Sequence, residues 1–122
     1  MPEPNLVQLR GFLESLQPSA QLITYQELAL AINMPPPHRI HRLTLMLEEL
    51  VREDHAAGRP LIAALAVSRG MADRAGTAIP GRGFFHLLKD LGRYDGPDRG
   101  PEAIARHKLE LEQLRLSGAE AS

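Results

Sequence analysis

Three consecutive prolines, Pro35-Pro36-Pro37, interrupt a stretch that is otherwise built for helix. A proline lacks the backbone donor and clashes with the turn before it, so no helix runs through this point. Tyr25 to Ile32 on one side must therefore be a separate helix from the residues beyond. On the other side Ile40, Leu43, Leu47, Leu50 and Val51 recur at helical spacing. Pro37 suits the first turn of that second helix, and Gly58 supplies its stop. This is the longest helical pattern in the chain, about 20 residues.

The remaining elements are placed by the same reasoning. Leu6, Leu9, Phe12, Leu13 and Leu16 define an amphipathic first helix, opened by Pro4 or Asn5 and closed before Pro18. Leu22-Ile23-Thr24 is a short β-branched stretch, and Thr24 with Glu27 forms a capping box for the helix that follows. The apolar run Leu61 to Ser68 favours a buried strand, although its alanines and leucines also suit helix. Between Arg69 and Gly83 the pattern breaks into a glycine-rich turn or wing. Phe84 to Leu91 rebuild a compact helix ending at Gly92. Residues 94–101 read as a loop, 102–116 as a last helix, and 117–122 as a disordered polar tail. The expected architecture is mostly α with a small β wing, residues 1–93 forming one domain. In the last helix Ile104, Leu111 and Leu114 form one stripe, and Leu109 and Leu116 another. That helix packs on its own domain or covers a second subunit or another protein, two readings of equal weight.

Composition closes off whole classes of function. The 122 residues suit a single domain, and its core must be aliphatic, with 20 leucines against three Phe, two Tyr and no Trp. Cysteine is absent, which removes disulfides, thiolate nucleophiles, zinc ribbons and iron–sulfur clusters. No apolar run approaches the roughly 20 residues of a membrane span. Met1-Pro2-Glu3-Pro4 lacks both the basic and the apolar region of a signal peptide, so the expectation is a soluble cytoplasmic protein with no membrane contact.

The net charge of −1 hides an uneven distribution. Residues 61–93 carry Arg69, Arg74, Arg82, Lys89 and Arg93 against Asp73 and Asp90, a local excess of +3. His38, Arg39, His41 and Arg42 crowd the start of the long helix, whereas Glu48, Glu49, Glu53 and Asp54 fill its second half. This opposes the helix macrodipole, which favours acids at the N-terminus. Either the cations merely solvate a surface turn, or the helix start meets an anion through its outward N–H groups and flanking guanidiniums. A helix tip plus a basic loop is how compact folds hold a DNA backbone and groove.

The order helix, short strand, helix, long helix, strand, glycine-rich wing resembles a winged helix-turn-helix. More narrowly, residues 22–92, with Thr24-Tyr25-x-x-Leu28-Ala29 opening the motif, resemble the DNA-binding domain of alkylguanine-DNA alkyltransferases and alkyltransferase-like proteins. That family accepts the alkyl group on the cysteine of a Pro-Cys-His-Arg motif. Here the corresponding stretch is Arg59-Pro60-Leu61-Ile62-Ala63, and alkyl transfer through such a cysteine is not expected. The resemblance implies a DNA-binding scaffold with a recognition helix at about 38–57. Arg39 and Arg42 then lie nearest the groove, Arg69, Arg74 and Arg82 grip the backbone, and Gly81 and Gly83 shape the loop. Tyr25 and Phe84 support packing.

Other constellations are weaker. Gly76 to Gly83 has P-loop glycine spacing, but Arg82 and Gly83 replace the Lys and Ser/Thr that hold phosphate and magnesium. A tight turn, with glycine chosen for positive φ, is the simpler reading than a phosphate nest. His38 and His41 have helical pair spacing but no nominated third metal ligand. Ser68, His86 and Asp90 lack a nucleophile elbow. The expectation is a non-catalytic protein without cofactor or metal that binds nucleic acid, double-stranded DNA first. The alternative is a protein–protein interaction module on the same scaffold.

Overall fold

The computed structural model describes residues 4–19, 21–68 and 78–121, with side chains described through Ser117. The chain is mostly helical, with five helices and one small two-stranded sheet among the described residues. α1 spans Leu6–Leu16. Asn5 caps it, accepting from the Gln8 N–H while the Gln8 side chain accepts from the Asn5 N–H. A 3-10 turn, Gln17–Ser19, follows at Pro18. β1 is Ile23–Thr24 and α2 is Tyr25–Ala31. Thr24 ends the strand and caps α2, with Glu27 N donating to Thr24 Oγ1 at 3.2 Å and Thr24 N to Glu27 Oε1 at 3.0 Å.

The proline break carries a left-handed residue at each end, Asn33 (φ 59°) and His38 (φ 60°), and its Pro36–Pro37 peptide is cis. α3 is Arg39–Ala56, so Pro37 lies outside the helix rather than in its first turn. The reason is His38, whose left-handed backbone makes it the N-cap and delays the helix by two residues. Gly58, at φ 70°, ends the helix as expected.

The apolar run after Pro60 is not one strand. It is a 3-10 turn, Ile62–Leu65, followed by β2, Ala66–Val67. The buried backbone there is satisfied without a ladder: Asp54 Oδ2 accepts from Ile62 N at 3.1 Å, and His107 Nε2 lies 2.7 Å from Ala64 O. β2 pairs parallel with β1, in the register Ile23–Ala66 and Thr24–Val67. Ser68 and Ile79 then bridge antiparallel, closing the base of the glycine-rich segment whose middle lies outside the described residues.

α4 is Arg82–Asp90, and Gly92 at φ 74° lies just beyond its end. α5, Pro101–Ala121, has 21 residues against 18 in α3, so it is the longest helix, and it continues through most of the expected tail. It packs intramolecularly against both 3-10 turns. Its buried face is Ala103, His107, Glu110 and Leu114, while Leu109 and Leu116 are more than half or half exposed. Of the apolar stripe Ile104, Leu111 and Leu114, Leu114 is buried and the other two are partly buried. The aliphatic core joins Leu9 and Leu13 of α1, Leu28 of α2, Leu43 and Leu50 of α3, and Leu88 of α4 around Leu61–Leu65, with Phe85 its one fully buried aromatic. No helix among the described residues is long and apolar enough to cross a membrane.

Candidate nucleic-acid interface

α3 supplies the candidate surface, and its two ends differ in how their charges are used. At the N-terminal tip the cap is His38, whose side chain makes no capping hydrogen bond. The first helical bond runs from Arg42 N to His38 O, so the N–H groups of Arg39, Ile40 and His41 precede the hydrogen-bonded ladder and point along the axis. His38, Arg39 and His41 are exposed, and none has an ion pair or side-chain hydrogen bond to a described residue. Uncapped N–H groups and flanking cations together form a positive tip.

Arg42 has a different position. Its guanidinium donates to Pro35 O at 3.0 Å and is half-buried, bracing the proline loop against α3. At about 100° per residue, Arg39 and Arg42 lie about 140° and 160° around α3 from Thr44. Thr44 and Glu48 face the start of α4, where Gly81, Arg82 and Gly83 lie. Arg82 thus does not share a flank of α3 with the basic helix start. Arg82 instead lies 4.0 Å from Asp98, which also sits 3.3 Å from His86 Nε2. Arg69 and Arg74 lie outside the described residues.

The glycines also differ from expectation. Gly81 has φ −71° and is the N-cap of α4; Arg82 and Gly83 form that helix's first turn rather than a loop. Positive φ is therefore not why glycine stands at Gly81. Its N–H donates to the Tyr25 hydroxyl at 2.8 Å, and the Tyr25 ring would be 3.5 Å from an added Cβ. A Cβ at Gly83 would meet Glu48 Oε2 at 3.3 Å. Tyr25 and Phe84 do support packing, Phe84 edge-on to Phe85.

Beyond its first turns the outer surface of α3 is not basic. Arg52 pairs with Glu49 at 3.0 Å and Glu48 at 3.7 Å, and Leu45 is half exposed. At the C-terminal end the charges turn inward. Asp54, only 1% exposed, accepts from Arg10 at 2.8 Å, Arg59 at 3.1 Å and the Ile62 N–H. Fully buried Glu110 takes Arg106 at 2.6 Å and Arg93 at 3.1 Å, and Arg93 also reaches His55 Nδ1 at 3.3 Å. Sequence reading missed both clusters because each joins residues that are far apart in the chain.

No group of three or more potential metal ligands occurs among the described residues, and His86 turns to Asp98 rather than completing a set with Ser68 and Asp90. A cavity of about 200 Å³ lies between α3 and the start of α4, lined by Leu47, Val51, Ala63 and Phe84 with Tyr25 and Glu48. Burial, reinforced by the nearby Glu48 carboxylate, pushes the Tyr25 phenol above its ordinary pKa despite the Gly81 N–H on its oxygen. No family model, curated protein or solved structure matches this chain.

Proposed function

We propose that the chain is a non-catalytic, winged-helix-like protein that binds double-stranded DNA through the N-terminal tip of α3. The observation that supports this reading is the tip itself: His38, Arg39 and His41 around uncapped N–H groups, without a carboxylate partner among the described residues. A phosphate placed there meets backbone dipoles and a guanidinium together. Arg39 is the principal contact, His38 and His41 flank it, and Arg42 acts by holding the proline loop. Arg69 and Arg74 extend the contact from the glycine-rich segment, and Arg82 is a peripheral member. Helix, strand, helix, helix and strand, followed by a bridged glycine-rich segment, is the order that supports the winged-helix likeness.

A gel shift with mixed-sequence duplex and with single-stranded DNA tests the proposal. Duplex is expected to bind, and Arg39→Gln with His41→Gln to weaken binding equally across sequences. Undiminished binding by that double variant overturns the placement. A second reading, a protein-interaction module, draws on Ile40 and Leu45, which are 40% and 50% exposed beside the same tip. Absence of any DNA binding in low salt favours it.

A further inference from the structure

We propose that the cavity between α3 and the start of α4 binds a small, uncharged, one-ring molecule whose edge carries an acceptor beside a donor, as an aromatic primary amide does. The volume is about 200 Å³, enough for one ring with a short substituent; its apolar walls are Leu47, Val51, Ala63 and Phe84, and Arg82 stands at its α4 side. Mostly apolar walls with a few converging polar groups are the usual make-up of a small-molecule site.

The polar groups set the ligand's chemistry. The Tyr25 oxygen already accepts from the Gly81 N–H at 2.8 Å, so its own proton is the group left to donate. Among the described residues that proton has no acceptor. A ligand carbonyl satisfies it. Glu48 lines the same space, and among the described residues its Oε1 has only the distant Arg52 at 3.7 Å. Its Oε2 faces the missing Cβ of Gly83, where any side chain would crowd it at 3.3 Å. A carboxylate accepts only, so it selects a ligand N–H and repels an anion. Arg82 also lines the cavity, but its side chain is largely exposed and lies 4.0 Å from Asp98, so Glu48 is the charge that faces the ligand's polar edge. The carbonyl faces Tyr25, the amide N–H faces Glu48, and the ring lies between Leu47, Val51, Ala63 and Phe84. This site is separate from the α3 tip and shares with the proposed DNA surface the peripheral Arg82, so ligand binding is read on the chain without DNA.

Benzamide, benzoate and toluene, titrated into the full chain and followed by amide chemical shifts, test the match. Benzamide is expected to give saturable shifts at Tyr25, Thr44, Gly81 and Gly83. Benzoate, lacking the donor and bringing a negative charge, binds at least about tenfold more weakly, as does toluene. Tyr25→Phe weakens benzamide about tenfold, and Ala63→Leu, which fills the cavity, abolishes the shifts. No saturable shift with benzamide, or equal affinity for benzoate or toluene, overturns the proposal. The three-ligand comparison uses the unaltered chain, so it decides the matter even where a variant does not fold.

Discussion

The two ends of α3 use the same residue types for opposite purposes. At the C-terminal end, Arg10 and Arg59 converge on Asp54, and Arg93, which also reaches His55, converges with Arg106 on Glu110 of α5. Both carboxylates are buried, and the cations around them serve the fold. At the N-terminal end Arg39 and two histidines stand exposed, without such partners among the described residues. The number of arginines gathered near each end does not show which of them are open to a ligand. What separates them is whether a carboxylate lies within reach, and that is a property of packing. Cations committed to buried acids are expensive to remove, and cations at an open helix start are cheap to remove and available to a ligand.

The largest expected effect breaks the committed end. Replacing Glu110 or Asp54 by Ala leaves two guanidiniums facing an apolar gap and costs about 3–5 kcal/mol. Urea denaturation of each variant measures it, and a loss below about 1 kcal/mol contradicts the structural role. Next, Thr24→Ala removes the α2 cap and is expected to cost about 1 kcal/mol, read as a lower urea midpoint. At the open end the sign reverses. His38 holds a left-handed backbone as a non-glycine residue, so His38→Gly is expected to stabilise by about 0.5–1 kcal/mol while weakening DNA binding. Arg39→Gln is expected to change stability by less than about 0.5 kcal/mol, the ordinary cost of a surface substitution.

Acid sharpens the same contrast. His107 is buried on the inner face of α5 with its Nε2 against Ala64 O, and burial lowers its pKa, partly offset by that bond and by Glu110. A histidine lowered in the folded state binds more protons when unfolded, so stability is full above about pH 6.5 and falls as the pH drops through that value. His107→Gln is expected to be less stable at neutral pH and to flatten this dependence between pH 7.5 and 5.5, seen as a smaller drop in Tm.

How much of this was legible in the sequence follows from the range of each interaction. Thr24 with Glu27 and the stop at Gly58 lie within one or two turns, and each stands where local chemistry puts it. The proline break was equally local, but its left-handed exit at His38 was not, and α3 starts later for that reason. The run at Ile62–Leu65 adopts a 3-10 turn because Asp54 and His107, from two other helices, satisfy its backbone. The inward face of α5 includes a histidine and a glutamate whose partners lie across the fold, so hydropathy could not find it. The cavity beside Tyr25 needs α3 and α4 in place before it exists. Arg39 was readable as an exposed cation, whereas the bracing role of Arg42 required Pro35 to be seen beside it.

Contact between the open end of α3 and a polyanion would show in the salt dependence of duplex binding. Fluorescence anisotropy with a labelled mixed-sequence duplex, between about 50 and 200 mM salt, gives the slope of log affinity on log salt for the unaltered chain and for Arg39→Gln. A slope smaller by about one is expected in the variant, at unchanged stability. Identical slopes and affinities for the two proteins contradict it.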